Sequence, residues 1–176
     1  MSNKRLLLHI GYPKTGTTTL QESFFSNLKQ IDYIGKPYKA SWKRNLHDVI
    51  FNDLNKDVEI KTQHKTLVWS EENFLKFQFY KDQMFIKKLL KIKQIFFNYE
   101  IKIMITVRKH QNILRSCFQQ FSEELKSNKI FLKDLNYAYK ISNLNETQKD
   151  FINMYDYFKL YQNLLKIFNK DQIIFL

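Results

Sequence analysis

The stretch "HIGYPKTGTTTLQ", residues 9 to 21, contains two of the three glycines of the 176-residue chain and one of its two prolines. It follows an apolar run at residues 6 to 8 and precedes a segment in which Leu20, Phe24 and Leu28 recur at four-residue spacing. The apolar run predicts a strand buried on both faces, and the spacing predicts a helix. A strand, a tight loop and a helix in this order suit a phosphate site, because N–H groups at the helix start attract an anion. The stretch therefore predicts an anion-binding loop at the end of a buried strand.

Strands alternate with helices along the rest of the chain. "KTLVWS" at residues 65 to 70 and "IKIMITV" at residues 101 to 107 are two further candidate strands, and the second follows a predicted helix over residues 82 to 98. A helical stripe of apolar residues then begins at Ile113. The alternation predicts an α/β fold, a P-loop-like three-layer sandwich with a mainly parallel central sheet flanked by helices. Ligands of such folds bind at the carboxyl ends of the strands.

The C-terminal part of the sequence predicts one more helix and one more strand. "FINMYDYFKLYQNLLKIF", residues 151 to 168, predicts a helix, and "QIIFL" at residues 172 to 176 predicts a buried strand. An end inside a core element suggests a shortened chain, so we expect a single domain over residues 1 to 176 that is truncated at its C-terminus. The predicted core face of the helix consists of Phe151, Tyr155, Phe158, Tyr161, Leu165 and Phe168.

Composition limits the classes of partner. The chain has 29 basic and 17 acidic residues, a net charge of +12. Only four of the basic residues are arginines and the lysines are scattered, so we interpret the charge as a solvated lysine surface and expect no specific nucleic-acid partner. The single cysteine, Cys117, cannot form an internal disulfide. No segment stays uncharged for ~20 residues, so we expect no membrane span and a cytoplasmic location. Nothing in the sequence indicates an oligomeric state.

The spacing of the loop residues resembles a nucleotide-binding pattern with one departure. Gly11 and Gly16 are separated by four residues, as in G-x-x-x-x-G-K-[ST], but Thr17 takes the place of the lysine. Lys14 supplies a cation inside the loop instead. Glycines allow the backbone to approach an oxyanion, and the neighbouring threonine hydroxyls can donate to it. The pattern favours a phosphate group held without triphosphate and magnesium, and an ordinary strand-to-helix turn is the alternative.

Three segments carry a resemblance to a known family. "GYPKTGTTTLQ", residues 11 to 21, resembles the 5′-phosphosulfate loop of sulfotransferases that use 3′-phosphoadenosine 5′-phosphosulfate (PAPS). "ITVRKHQNILRSCFQQ", residues 105 to 120, resembles the 3′-phosphate element of that family, a strand ending in an arginine with a serine eight residues later. "LVWSEENFL", residues 67 to 75, resembles the strand and Ser-Glu step between these two elements in bacterial members. The chain is therefore similar to bacterial-type sulfotransferase domains over residues 5 to 121.

This resemblance implies a reaction and a donor site. The implied reaction moves a sulfuryl group from PAPS to an acceptor hydroxyl or amine of a small molecule or carbohydrate, leaves 3′-phosphoadenosine 5′-phosphate (PAP), and needs no metal. Lys14 would also stabilise the charge that grows on the bridging oxygen. The implied donor-binding residues are Lys14, Thr15, Gly16, Thr17, Thr18 and Thr19 on the 5′-phosphosulfate, and Arg108 and Ser116 on the 3′-phosphate.

The general base is less clearly indicated. The family uses a glutamate or a histidine, and Glu71 is the preferred candidate because it follows a predicted strand whose end faces the crevice. His47 is the alternative base, and capping of a helix N-terminus is the alternative role of Glu71. His9 lies inside the first predicted strand, where we expect a buried, hydrogen-bonded histidine. His110 lies near the 3′-phosphate element and is expected to contact the cofactor at most.

Three other functions remain open. A P-loop nucleotide kinase or hydrolase is disfavoured by the missing lysine after Gly16 and by the lack of a clear acidic strand end for magnesium. A nucleic-acid-binding module would use the +12 charge and would bind DNA or RNA of any sequence with a steep dependence on salt. A non-catalytic relative would keep the fold without donor binding or without the base.

Overall fold

The structure is a computed structural model that describes residues 4–12, 14–38, 40–52, 54, 56–75, 82–110, 112–113, 116 and 155–176. Within these residues the central sheet has five strands, all parallel. The strand order across this part of the chain is β2-β3-β1-β4-β5, and each neighbouring pair is parallel, which confirms the predicted parallel sheet. The strands are β1 Lys4–Gly11, β2 Asp32–Ile34, β3 Thr66–Ser70, β4 Tyr99–Thr106 and β5 Ile173–Phe175.

Helices pack on both faces of this sheet. Alternate residues of β1 point to opposite faces, so Leu6 and Leu8 join a large apolar cluster while Leu7 packs against a small one around Phe25. The large cluster contains residues of α2, α3 and α4, whereas the small cluster covers the face beneath the helical segment that follows the loop. The predicted three-layer arrangement is therefore confirmed. Among the described residues, the structure has helices α1 Thr17–Thr19, continued by a π-helical turn Leu20–Phe24 and a 3-10 turn Phe25–Asn27, then α2 Ser41–Phe51, α3 Asp82–Ile95 and α4 Tyr157–Leu165.

The register of the three central strands aligns their carboxyl ends. His9 lies opposite Ser70 of β3, and Gly11 lies opposite Thr106 of β4. The loop after β1, the residues after β3 and the residues after β4 consequently leave the sheet at the same edge. This is the edge at which ligands of parallel sheets bind.

Two elements escaped the sequence analysis. The strand β2 is only three residues long, too short for an alternation of apolar and polar residues to be visible. The helix α2 buries Leu46, Val49 and Ile50 but carries charged or polar side chains at most of its other positions. The helix predicted over residues 82 to 98 is present and ends earlier, at Ile95.

The C-terminal helix presents a different face to the core from the predicted one. Its N-cap is Asp156, whose carboxylate accepts a hydrogen bond from the Lys159 N–H at 2.9 Å, so the helix begins at Tyr157. With that start, Leu160 and Leu164 face the sheet and are fully buried. Of the predicted face, Tyr155 and Phe168 are buried, Phe158 is 69% and Leu165 is 43% exposed, and Phe151 lies outside the described residues. The predicted stripe was therefore wrong in register.

The final predicted strand exists as β5, but it is not buried. Its backbone pairs with β4, and the Leu176 N–H donates to the Ile105 carbonyl at 2.9 Å. The side chains of Ile174 and Phe175 are 37% and 38% exposed.

Candidate active site

The loop between β1 and α1 contains two residues in the left-handed region. Gly16 has φ 85° and Lys14 has φ 69°. A left-handed backbone suits glycine, whereas at a lysine it costs about 1–3 kcal/mol and persists only where the surroundings fix it. The loop therefore holds its lysine in a strained conformation.

Gly11 allows the start of α1 to pack directly on the end of β1. A Cβ at this position would lie 1.8 Å from Cγ2 of Thr17 and 3.1 Å from Oγ1 of Thr106. At Gly16, in contrast, an added Cβ meets nothing within 4 Å, so that position requires glycine for its backbone angle and not for space. The two positions thus require glycine for different physical reasons.

The two segments that the sequence related to the two phosphates of a donor are in contact. The Arg108 guanidinium follows β4 and donates through Nη1 to the Lys14 carbonyl at 3.1 Å. The backbone of Arg108 is held from the other side by Tyr157, whose hydroxyl donates to the Arg108 carbonyl at 2.6 Å. Ser116 lies in helical backbone and is half-buried. The loop and the end of β4 therefore form one cationic corner.

Two of the four loop threonines use their hydroxyls inside the protein. The Thr15 hydroxyl donates to the Tyr12 carbonyl at 2.8 Å and lies 2.9 Å from the Thr106 hydroxyl. The Thr17 hydroxyl donates to Oε1 of Glu72. The hydroxyls of these two residues thus have protein partners. Thr18 and Thr19 are exposed.

A buried polar network lies beneath the loop. Nδ1 of His9 lies 2.6 Å from the Ser70 hydroxyl, and Nε2 lies 3.3 Å from the Thr106 hydroxyl. The Gln21 amide donates to Ser70 Oγ at 3.0 Å. Burial lowers the pKa of His9 to about 4, so the ring is neutral at physiological pH. The expectation of a buried, hydrogen-bonded histidine is confirmed.

The two candidate bases lie next to each other. Glu71 is 3% exposed, and its Oε1 accepts a hydrogen bond from the Asn73 N–H at 3.1 Å, so it does cap the short helical turn Glu72–Phe74. Its Oε2 accepts from the Tyr38 hydroxyl and lies 3.5 Å from Nε2 of His47. Burial and the charge of Glu71 raise the pKa of Tyr38 far above its usual range, so that hydroxyl keeps its proton.

His47 lies between two carboxylates. Its Nδ1 is 3.5 Å from Asp48 Oδ1, and its ring stacks on Phe51 with 4.7 Å between the ring centroids. Its Nε2 is buried and makes no hydrogen bond to any described residue, although Glu71 is near. A buried nitrogen without a hydrogen bond is uncommon in proteins, so His47 and Glu71 are a candidate functional pair.

Several contacts of the site were not predicted from the sequence. Ser70 and Thr106 are polar residues that close apolar strands, a signal that could have placed them at the sheet edge. Tyr38 and Tyr157 carry no such local signal, because only the tertiary fold brings them to Glu71 and Arg108. His110 contacts the C-terminal segment, with Nε2 2.7 Å from the Tyr155 carbonyl.

A cavity of about 510 Å³ lies beside the helical segment after the loop and the edge strand β2. Its size is within the range of small-molecule sites. Charged groups of both signs line it together with aromatic and apolar side chains. Its lining includes Gln21, Glu22, Asp32, Tyr33, Lys43 and His64.

Comparisons with known proteins identify the family. The family model described as "Sulfotransferase domain" matches residues 4–176. No curated protein matches the sequence. Fourteen chains of solved structures match, and one of them is a thymidylate kinase from Candida albicans with 10% identity. That match covers 100% of this chain and 84% of the kinase chain with a TM-score of 0.38, a likeness too distant to indicate activity or substrate.

The described residues contain neither a membrane-spanning helix nor a cluster of metal ligands. Within that part of the chain, no helix has the length and apolar character needed to cross a membrane. The same residues contain no group of three or more His, Cys, Asp or Glu side chains arranged to hold a metal ion.

Proposed function

The chain belongs to the sulfotransferase domain family, and on this premise we propose that it transfers a sulfuryl group from PAPS to a hydroxyl or amine of a small-molecule or carbohydrate acceptor. The observation that carries the proposal is the hydrogen bond from Arg108 to the Lys14 carbonyl. A donor with phosphates at its 3′ and 5′ positions needs two anion sites on neighbouring strands. The ends of β1 and β4 supply such a pair.

The loop residues divide into those that bind the 5′-phosphosulfate and those that shape the loop. Lys14 and Gly16 offer a partly exposed cation and an open backbone surface that an oxyanion can approach. Thr18 and Thr19 offer exposed hydroxyls. Thr15 and Thr17 contribute through the backbone, because their hydroxyls have protein partners. Arg108 and Ser116 bind the 3′-phosphate, and the planar guanidinium suits two parallel hydrogen bonds to phosphate oxygens.

The protein stabilises charge and accepts a proton during transfer. When bound, PAPS supplies the activated sulfuryl group. The Lys14 ammonium stabilises the negative charge that develops on the bridging oxygen of the leaving phosphate, where a preorganised cation acts most strongly. Glu71 Oε2 accepts the proton of the acceptor, and His47 Nε2 lies 3.5 Å from that oxygen as the alternative base.

The contacts of Glu71 support a base that is held in place. Its Oε1 is fixed by a backbone N–H and its Oε2 faces Tyr38 and His47, so the carboxylate has a single orientation. Hydrolysis of PAPS with water as the acceptor tests the assignment without knowledge of the natural acceptor. Glu71→Gln should lower the rate by about 10²–10⁴-fold, the usual contribution of a general base, and His47→Gln by less. A larger loss of rate in His47→Gln than in Glu71→Gln would make His47 the base. Unchanged rates in both variants would exclude both residues as the base.

The cavity beside β2 is the proposed place of the acceptor. The Glu22 carboxylate can accept hydrogen bonds and the His64 ring can donate them. The aromatic ring of Tyr33 offers a flat apolar surface. Such a mixture suits a molecule rich in hydroxyls or amines, as a carbohydrate is. The Gln21 amide joins this wall to Ser70, the residue directly before Glu71.

One contact favours a second candidate function. Glu72 follows β3 and binds the Thr17 hydroxyl, so an acidic group does lie at the strand end next to the loop, contrary to the sequence-based expectation. P-loop kinases use an acidic strand end with a loop hydroxyl to hold magnesium. In this chain the contact is with Thr17, which takes the lysine position of that pattern, whereas Thr18 takes the hydroxyl position. A magnesium-dependent nucleotide kinase is therefore the second candidate.

Calorimetric titration separates the two. The protein is titrated with PAP without magnesium, and with AMP and ATP, each with and without magnesium. The proposal expects PAP to bind without magnesium and far more tightly than AMP, and Arg108→Ala to remove this preference. Arg44→Ala, an exposed arginine on α2, is the matched control and should bind as the wild type does. Binding of ATP only with magnesium would support the kinase, and binding of neither nucleotide would overturn both functions.

A further inference from the structure

We propose that His9 is a positioning residue, the central link of a one-way hydrogen-bond chain that runs from Gln21 to the Tyr12 carbonyl and fixes the shape of the loop. The inference rests on the proposed function in one respect, because it assigns donor binding to that loop. In this scheme His9 does not contact the PAPS molecule itself. It acts through Thr106 and Thr15.

The direction of the chain follows from the loop end. The Thr15 hydroxyl donates its only proton to the Tyr12 carbonyl, so toward Thr106 it can only accept. Thr106 therefore donates to Thr15 and has no proton left for His9. Since Nε2 of His9 lies 3.3 Å from Thr106 Oγ1, that nitrogen carries the proton and donates.

The other end leads to the same tautomer. The Gln21 amide donates to Ser70 Oγ, which leaves the Ser70 proton free for His9. Nδ1 of His9, 2.6 Å away, accepts it and is therefore unprotonated. Both ends of the chain thus require a neutral ring with its proton on Nε2.

Burial prevents the hydrogen bonds of this chain from reversing their direction. His9 is 0% exposed, Ser70 2% and Thr106 5%, so water cannot replace a lost partner. A ring with the proton on Nδ1 would leave Nε2 facing a Thr106 hydroxyl whose proton is already used. An unsatisfied group of this kind is costly in a buried position. The ring is also packed against Phe25, with 5.6 Å between the ring centroids, which holds its plane.

The consequence reaches the strained residue of the loop. Thr15 is held by the chain, and its backbone N–H also donates to the Tyr12 carbonyl at 3.3 Å. Lys14 directly precedes Thr15 and keeps its left-handed φ of 69° with its carbonyl toward Arg108. The links come from β1, β3, β4 and the π-helical turn Leu20–Phe24, so the hydrogen-bond chain ties the loop to four elements at once.

The test combines one ligand-free measurement with one binding measurement. Long-range ¹⁵N–¹H NMR correlations of the His9 ring report the tautomer in the wild type without any ligand. The proposal requires the proton on Nε2, and a proton on Nδ1 would overturn it even if PAP binds. Because this readout needs no donor, a wild type that fails to bind PAP rejects the proposed function and leaves the hydrogen-bond chain to be judged by NMR.

Variants test whether the chain acts on the loop. His9→Gln can place an amide N–H near the position of Nε2, whereas His9→Asn reaches only the position of Nδ1. Affinity for PAP should fall about tenfold in His9→Asn and in Thr106→Val, with little further loss in the double variant, and His9→Gln should recover most of it. Ser23→Ala removes an exposed hydroxyl of the same helical segment and is the control without effect.

Amide hydrogen exchange at Thr15 should quicken in His9→Asn and in Thr106→Val, but not in His9→Gln. Wild-type affinity and wild-type exchange at Thr15 in both His9→Asn and Thr106→Val would overturn the positioning role. A general loss of stability would instead quicken exchange throughout the sheet in all three variants, which would also contradict the proposal.

Discussion

The Arg108 guanidinium donates a hydrogen bond to the Lys14 carbonyl over 3.1 Å, which joins the end of β4 to the loop after β1. The bond uses only one of the five N–H donors of the guanidinium, so the group retains donors for a phosphate. It also brings the charge of Arg108 to the residue that carries the loop cation. The corner therefore has two positive charges and a rigid backbone.

Replacing Arg108 by lysine should separate charge from geometry. Arg108→Lys keeps the charge but loses the planar fork, so PAP affinity should fall to a value between those of wild type and Arg108→Ala. Affinity for AMP, which lacks the 3′-phosphate, should change much less. Calorimetry with both nucleotides measures the difference. Equal losses for PAP and AMP would indicate that Arg108 only shapes the loop through the Lys14 carbonyl.

Lys14 allows charge and backbone strain to be separated in a matched pair of variants. Lys14→Gly removes the ammonium and relieves the left-handed strain, so the free energy of unfolding should rise by about 1 kcal/mol while sulfuryl transfer is lost. Lys14→Ala loses transfer equally but keeps the strain. Urea unfolding and PAPS hydrolysis measure the two effects. Equal stability of the two variants would mean that the left-handed angle costs nothing.

The sequence predicted local features well because local patterns carry them. The loop lies where Gly11 and Gly16 stand in the sequence, and the strands β1, β3 and β4 follow continuous apolar runs. The start of α4 was not predicted, because Asp156 sets it by capping and the apolar spacing alone allowed another register. An N-cap of this kind determines which face of the helix is buried where the spacing of apolar residues allows more than one face.

Contacts across the sheet could not be predicted in the same way. His9 meets Ser70 and Thr106 from 61 and 97 residues away, and the pairing depends on strand register. The proximity of His47 to Glu71 depends on α2, which the sequence analysis did not find. Two residues that the sequence offered as alternatives for one role are therefore neighbours in the fold.

Tyr38 should influence the rate of turnover through the orientation of Glu71. Its hydroxyl donates to Glu71 Oε2, so it helps to hold the carboxylate in one position. Tyr38→Phe removes that hydrogen bond, so PAPS hydrolysis should slow by about tenfold while affinity for PAP stays the same. Tyr161→Phe, a tyrosine on α4 that packs on Phe175, is the control. An unchanged rate in Tyr38→Phe, or the same loss in both variants, would contradict Glu71 as the base.

His9 should make stability depend on pH in a defined window. Its pKa is 6.5 in the unfolded chain and about 4 in the folded chain because burial disfavours the charged ring. Between these values the unfolded state binds a proton that the folded state does not, so stability is full above pH 6.5 and falls as the pH decreases to about 4.

Urea unfolding between pH 4 and 7.5 measures this contribution as the difference between wild type and His9→Gln. The difference should show a slope approaching about 1.4 kcal/mol per pH unit within the window and none above it. Other titrating groups are common to both proteins and cancel in the difference. Parallel curves would mean that the His9 ring is charged or accessible to water in the folded state.

The close approach of Gly11 and Thr17 predicts a specific rescue. Gly11→Ala places a methyl group against Thr17 Cγ2, so the free energy of unfolding should fall by about 1–3 kcal/mol. Thr17→Ser removes that carbon and keeps the hydroxyl, so it should recover a large part of the loss in the Gly11→Ala background. Gly16→Ala also destabilises, through its φ of 85° and not through a clash, so Thr17→Ser should give it no rescue. Chemical denaturation of the two double-mutant cycles measures both couplings, and equal effects of Thr17→Ser in the two backgrounds would show that Gly11 is not required for space.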